Sequence, residues 1–183
     1  MLMLFPGIKQ EYVLVLDTEY EDMKLLQCAV FLFKRISDGD GYQLAASFNK
    51  YIKAHSVNKY TTRYTGLTSE FLMQHGIEKD YFADFYDSLF EGIDTNDVIF
   101  VSHGTKGDRK VLKDAGVTFS PGHSFCTYKN AKRILKRERG LALTDVAAEA
   151  GFQLNGSHNA YYDAIATAVA FSFLTKLDYE GSV

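Results

Sequence analysis

The chain predicts one α/β domain built on a mixed sheet, and three observations carry that prediction. Apolar runs at Tyr12–Leu16, Lys24–Ile36 and Tyr42–Ala54 follow one another across short turns, as strands of an antiparallel meander do. From Thr68 onward, helical patterns alternate with short apolar strands, the order expected of an α/β sheet. The 183 residues are 46% hydrophobic and 23% charged, a globular composition in a chain long enough to bury a substantial core. No repeat, low-complexity tract or linker divides the sequence, so a single domain over residues 1–183 is expected, with its core from about residue 12 to 176.

The first strand is the stretch around which the others are organised. Tyr12–Tyr20 reads YVLVLDTEY, an unbroken Val/Leu run ending abruptly in Asp17-Thr18-Glu19. Such a run is that of a strand buried on both faces. Residues two apart in a strand point the same way, so Asp17 and Glu19 project together. Two adjacent carboxylates repel and lose hydration, and a hard divalent cation between them offsets both costs. On this stretch alone a strand running out into an acidic turn is the favoured reading, since Glu21 and Asp22 follow and short acidic motifs are common. Lys24–Ile36 is a second strand, and SDGDG at Ser37–Gly41 is a turn. Tyr42–Ala54 alternates more than the others and is expected nearer a sheet edge, with His55–Gly66 a polar loop.

Helices follow. Thr68 caps a short helix closed by Gly76, and Asp80 caps another with Phe82, Phe85, Tyr86, Leu89 and Phe90 on one face. Asp94-Thr95-Asn96 turns the chain into a buried strand at Asp97–Ser102. A helix from about Thr105 to Ala115 ends at Gly116, and His123–Tyr128 is the last strand. Lys129–Arg139 is helical by propensity, and Thr144 caps a short helix stopping at Gly151. The final helix, from about Ala160 to Lys176 with Asn159 as its cap, has no charge between Ala164 and Thr175, so it is expected to be buried almost all round.

A formal net charge of −3 excludes a uniformly basic nucleic-acid binder but leaves room for a local basic patch. Cys28 and Cys126 make neither a metal spacing nor a disulfide framework and read as buried thiols. The start, MLMLFPGIKQ, lacks the basic region of a signal peptide, and no apolar run is long enough for a membrane span. A cytoplasmic protein with no membrane partner is the expectation.

Three later stretches carry candidate chemistry. In SHGTKGDRK, Asp108 falls just beyond the fourth strand, in the first turns of the next helix, where a parallel sheet presents functional groups. Taken singly it reads better as an exposed helix Asp paired with Arg109 or Lys110, and His103 reads equally as a satisfied structural histidine. In NGSHNAYYDA, His158 and Asp163 are five apart, about 140° around a continuous helix, so they share no face of one. With Asn159 as the cap, His158 instead lies in a turn that Gly156 and Ser157 make supple, and Asp163 lies at the start of a buried helix. A carboxylate there is expensive without a partner. The basic run Lys129, Lys132, Arg133, Lys136, Arg137 and Arg139, opposed only by Glu138, is either a solvated helix face or a grip on phosphates.

Together LDTEY, SHGTKGDRKVL and HNAYYDA, in this order and spacing, resemble the three exonuclease motifs of the DEDDh (DnaQ-like) superfamily. That superfamily includes the proofreading subunit of bacterial DNA polymerase III, oligoribonuclease and RNase T. The resemblance runs from about Tyr12 to Leu174 and takes in YTGLTSEF at Tyr64–Phe71 and FCTYKNAKRIL at Phe125–Leu135. It implies an RNase H-like fold with a five-stranded mixed sheet flanked by helices. It also implies that Asp17, Glu19, Asp108 and Asp163 hold two divalent cations, Mg²⁺ or Mn²⁺, with His158 as general base. The sequence departs from the common pattern at Tyr20, where a small residue is usual, at Gly104, where Asn is usual, and at Gly107, where an aromatic is usual. Thr18, Tyr20 and His103 are the candidate substrate contacts.

The implied reaction is hydrolysis of the terminal phosphodiester at the 3′ end of single-stranded or frayed DNA or RNA, releasing nucleoside 5′-monophosphates. Two cations about 3.5–4 Å apart suit in-line displacement at phosphorus, and oxygen-rich ligands suit Mg²⁺ or Mn²⁺. A non-catalytic nucleic-acid-binding module on the same fold is the alternative, against which the intact set of five residues argues. Some relatives form homodimers or serve a polymerase, and the sequence identifies no surface for either.

Overall fold

A computed structural model describes residues 1–36, 39–155 and 158–181. Its sheet has six strands, β1 (Leu2–Leu4), β2 (Tyr12–Glu21), β3 (Lys24–Arg35), β4 (Gly41–Tyr51), β5 (Val98–Ser102) and β6 (His123–Cys126), in the order β1-β4-β3-β2-β5-β6. The first four pair antiparallel, while β5 runs parallel to β2 and β6 parallel to β5. The mixed sheet is therefore the expected one with a sixth strand added. Leu2–Leu4 is three residues long and held by backbone pairing to Tyr42 and its neighbours, too short to show a period in the sequence. The turn predicted at Ser37–Gly41 falls partly outside the described residues.

Seven helices are described: α1 (Lys59–Thr65), α2 (Ser69–His75), α3 (Lys79–Ser88), α4 (Thr105–Asp114), α5 (Thr127–Ile134), α6 (Leu143–Glu149) and α7 (Ala160–Glu180). They cover both faces of the sheet, which is why β2 carries no polar alternation until its end. Leu14 and Leu16 pack against Phe82 and Tyr86 of α3 and Val111 and Leu112 of α4. Val13 and Val15 face the other way, onto Ala160, Ala164, Ala168 and Phe171 of α7. Helix α7 lies between the sheet and the α5–α6 pair, where Ala170 and Leu174 meet Ala131 and Val146. That placement explains its uncharged stretch: both sides are covered.

Several boundaries differ from the sequence reading. The expected loop at His55–Gly66 contains α1, started by the Asn58 side chain, which accepts hydrogen bonds from the Tyr60 and Thr61 N–H groups. Helix α1 buries no residue, so no apolar stripe betrays it in the sequence. Thr68 and Gly76 do bound α2, but α3 begins after Glu78 rather than Asp80, and α6 after Ala142 rather than Thr144, neither with a side-chain cap bond. Helix α5 spans Thr127–Ile134, not Lys129–Arg139, because Lys136 adopts a left-handed conformation (φ 51°) that ends it. The basic run is thus broken, and two of its members are tied to acids: Arg133 to Asp178 at 2.9 Å and Arg137 to Glu149 at 2.7 Å.

Candidate active site

The register of β2 creates the site. Its parallel pairing with β5 is recorded from Tyr12↔Val98 to Val15↔Val101, whereas its pairing with β3 continues through Asp17↔Ala29 and Glu19↔Gln27. The last residues of β2 therefore project beyond the end of β5, at the carboxyl end of the parallel strands where such sheets present ligand sites. By the two-residue period, Asp17 and Glu19 face the α7 side and Thr18 faces the α4 side. A register shift between Glu19 and Tyr20 marks a bulge, a common device for re-aiming side chains beside a site.

Helix α7 brings Asp163 to the same side. Asn159 caps the helix, accepting from the Tyr161 N–H, so Asp163 stands in the first turn, 8% exposed. One carboxylate oxygen each from Asp17, Glu19 and Asp163 lies within 4.8 Å of the other two. Asp163 Oδ2 accepts the His158 backbone N–H at 2.9 Å, and its Oδ1 is buried with no hydrogen-bond partner. A buried carboxylate oxygen left unpaired beside two more carboxylates is unfavourable unless a cation completes it.

Asp108 arrives from the other face. It is 6% exposed in the first turn of α4, and both its oxygens are taken: Thr18 Oγ1 donates to one and Ser102 Oγ to the other, each at 2.7 Å. It lies outside the group of three, yet its charge reaches them. Burial pushes the Asp17 carboxyl well above its usual range, with Asp108, Asp163 and Glu19 adding to the rise. Burial likewise lifts Glu19 to about 7, aided by Asp163 and Asp108. Asp163 is raised by burial, which the His158 N–H and the nearby imidazole partly oppose. Asp108 is raised by burial against the pull of its two hydroxyl donors. Four carboxylates that each resist ionisation form a strongly cation-seeking cluster.

The other predicted residues separate clearly. His158 precedes the cap as expected, in a left-handed conformation (φ 65°), exposed, its ring meeting that of Tyr64 edge-on at 5.6 Å. The turn expected at Gly156 and Ser157 lies outside the described residues. Tyr20 is exposed and, with Glu19, Tyr64 and His158, lines a cavity of about 400 Å³. A larger cavity, about 560 Å³, lies beyond α4 among Tyr86, Phe100, Arg109 and Phe119, with no carboxylate in its lining. Two side chains are engaged within the fold. Thr18 is buried and spends its hydroxyl on Asp108. His103 places one ring nitrogen 2.8 Å from Thr127 Oγ1 and the other 3.0 Å from the Leu141 carbonyl, and burial lowers its pKa.

Two departures from the common pattern meet in space. A Cβ on Gly107 would lie 3.2 Å from the Tyr20 hydroxyl. The bulk usually carried by α4 at this place is here carried by β2, and the small residue on α4 makes room for it. Sequence reading missed Ser102 and Gln27. Gln27 is fully buried on β3, donates to Asn49 and Asn159, and accepts from the Ala160 N–H, tying the start of α7 to the sheet. A single amide within LLQCAVFLF was the available signal, since a buried amide needs partners.

By sequence, no curated protein matches the chain. Solved structures share its fold. Cell-death related nuclease 4 has a TM-score of 0.72 at 16% identity over 91% of this chain and 64% of its own. The zinc-bound form of E. coli exonuclease I with single-stranded DNA has a TM-score of 0.74 at 16% identity over 94% of this chain and 43% of its own. The nuclease domain of 3′hExo, a DEDDh family member bound to rAMP, has a TM-score of 0.66 at 14% identity over 91% and 93%. The chain thus spans less than two thirds of the first two proteins' length. A model of the exonuclease (RNase T) family matches residues 35–171, starting after Asp17 and Glu19 and including Asp108, His158 and Asp163. With that match over well more than half its length, and with the RNase H-like arrangement its three motifs implied, the chain belongs to the exonuclease family.

Proposed function

We propose that the chain is a metal-dependent 3′–5′ exonuclease that removes terminal nucleotides, as nucleoside 5′-monophosphates, from single-stranded or frayed nucleic acid. The observation that carries the reading is the meeting of Asp17, Glu19 and Asp163 with an unpaired, buried Asp163 oxygen among them. All-oxygen donors of this kind suit Mg²⁺ or Mn²⁺, and a zinc-bound form is known for the similar exonuclease I. When bound, two such cations would supply charge neutralisation and a clamp for the attacking and leaving oxygens at phosphorus.

The residues of the chain do the rest. Asp17, Glu19 and Asp163 would hold the cations directly, and Asp108 adds a fourth negative charge, fixed in place by Thr18 and Ser102. His158, on the exposed rim, accepts the proton of the attacking water, a role for which imidazole is suited near neutral pH. Tyr20 offers its ring to the terminal base. The two cysteines are free and buried, which agrees with a reducing, cytoplasmic setting.

The test is a product assay with matched DNA and RNA oligonucleotides, their 3′ ends free or blocked, in Mg²⁺ or Mn²⁺. Release of 5′-monophosphates from free 3′ ends alone is the expected result. Binding without turnover would instead favour a non-catalytic module.

A further inference from the structure

The cavity of about 560 Å³ beyond α4 has no part in the reaction proposed above, and its volume is that of a small-molecule site. It lies between α3, β5, α4 and the segment 116–121 that follows α4. That segment is irregular yet fixed from two sides. Asp87 of α3 accepts the Thr118 and Phe119 N–H groups, each at 2.9 Å, and the Thr118 hydroxyl at 2.6 Å. Arg109 of α4 donates to the Pro121 and His123 carbonyls at 2.9 and 3.2 Å and to Ser120 Oγ at 3.2 Å. Apolar segments close onto a core to near-crystalline density unless something holds them off. Here two charged side chains do so, and the cavity is built into the fold.

Its lining combines apolar walls with two cations. Leu112 and Val117 supply aliphatic surface, and Phe100 and Phe119 supply rings. Phe119 is stacked flat on Phe90, with centroids 4.0 Å apart and 6° between planes, so its other face is the one left to line the cavity. Arg109 and Lys113 are four apart on α4 and share one face. Among the described residues neither forms an ion pair with an acid. Like charges at that spacing repel, and an anion between them offsets the cost. The last carbonyls of α4 are already taken, since those of Val111, Leu112 and Lys113 accept the N–H groups of Ala115, Val117 and Gly116. Tyr86, also in the lining, keeps its hydroxyl buried with no partner among the described residues, the condition of a polar group that a bound molecule can complete.

From these observations we infer that the cavity is a binding site for a small aromatic phosphate monoester, such as a nucleoside 5′-monophosphate, with its ring against Phe119 and Val117 and its phosphate between Arg109 and Lys113. Two unpaired cations in a lining without a carboxylate suit a dianion better than a single negative charge. Three of the five guanidinium N–H donors of Arg109 are spent on the segment 116–123, which leaves two for an oxyanion. The stack of Arg109 over the Phe100 ring, at 4.7 Å, fixes the plane in which they point. The site shares no lining residue with the group of Asp17, Glu19 and Asp163, so the inference stands apart from the exonuclease reading. The mononucleotides that the proposed reaction releases belong to the same ligand class.

The experiment titrates the methyl-labelled full chain with AMP in EDTA and follows the methyl resonances by NMR. The Leu112 and Val117 methyls report the cavity, and those of Leu16, next to Asp17, report the carboxylate group. Saturating shifts at Leu112 and Val117 with Leu16 unmoved are the expected result. Ribose 5-phosphate, which lacks the ring, and adenosine, which lacks the phosphate, should each bind about tenfold more weakly. Lys113 is exposed and bears no part of the core. Lys113→Glu should therefore fold normally and weaken AMP about tenfold, the scale of one hydrogen bond to a charged group, and Lys113→Arg should restore it. Shifts confined to Leu16 or absent altogether, ribose 5-phosphate binding as tightly as AMP, or an unchanged affinity in Lys113→Glu overturns the inference. A protein that binds AMP at Leu112 and Val117 but degrades no oligonucleotide in Mg²⁺ or Mn²⁺ overturns the exonuclease reading and leaves the cavity site standing.

Discussion

Asp163 and Asp108 are both buried carboxylates carried to the end of β2 by the first turn of a helix, yet they are treated in opposite ways. Asp163 comes from the α7 face, keeps one oxygen unpaired and joins Asp17 and Glu19. Asp108 comes from the α4 face with both oxygens bonded to hydroxyls. An unpaired buried oxygen is unfavourable until a partner completes it, whereas each Asp108 oxygen already has one donor to hold it in place. The contrast divides four acids legible as one set into three whose oxygens meet and one held by two hydroxyls.

The largest expected effect tests whether that group is the site at all. Asp17→Asn should reduce degradation of a 3′-labelled oligonucleotide in Mg²⁺ to background, and retained activity would remove the functional reading outright. Next in size, His158→Ala should lower kcat by about 10²-fold, the scale of general-base catalysis. An equal loss in KM alone would reassign His158 to substrate binding.

The contrast itself is sharpened by melting temperatures. Asp163→Asn should abolish the rise in Tm that Mg²⁺ gives the wild type, while Asp108→Asn should keep most of it, and identical behaviour of the two variants would erase the distinction. The pH dependence has a definite sign. Folded-state values of Asp17, Asp163 and Glu19 are raised, Glu19 to about 7, so the folded protein holds their protons more tightly than the unfolded chain does. Their contribution to stability is present below the ordinary carboxylate range and is lost as pH rises through about 7. In EDTA, Tm should fall over that window, and the gain from Mg²⁺ should grow as it falls.

The smallest effect concerns the scaffold. Thr18→Val leaves a buried carboxylate oxygen without its donor and should cost about 1–3 kcal/mol in urea unfolding. A cost near zero would show that Asp108 does not depend on the Thr18 hydroxyl.

Much of the architecture was legible because burial leaves marks in the sequence. The strands at the centre of the sheet are unbroken apolar runs, since both faces are covered, and α7 is uncharged where the sheet and the α5–α6 pair enclose it. Elements that bury little or nothing of their own left no such mark, as β1 and α1 show. For the candidate site, the acids and His158 stood out by their types and spacing, while Gln27 did not, because its partners Asn159 and Ala160 lie far along the chain, and Ser102, six residues before Asp108, read only as the end of a buried strand.

By itself, then, the sequence determined the mixed α/β order, the pairing of Asp17 with Glu19 on one strand face and the placement of Asp163 behind an Asn159 cap. These follow from local periods and capping chemistry, which act over a few residues. Only the tertiary structure decided that both Asp108 oxygens have hydroxyl donors while one Asp163 oxygen has none, that Tyr20 fills the space over Gly107, and that an exposed helix with two tyrosines stands beside His158. Each of these depends on which distant side chain arrives within bonding distance, and that is set by packing across the sheet rather than by neighbours in the chain.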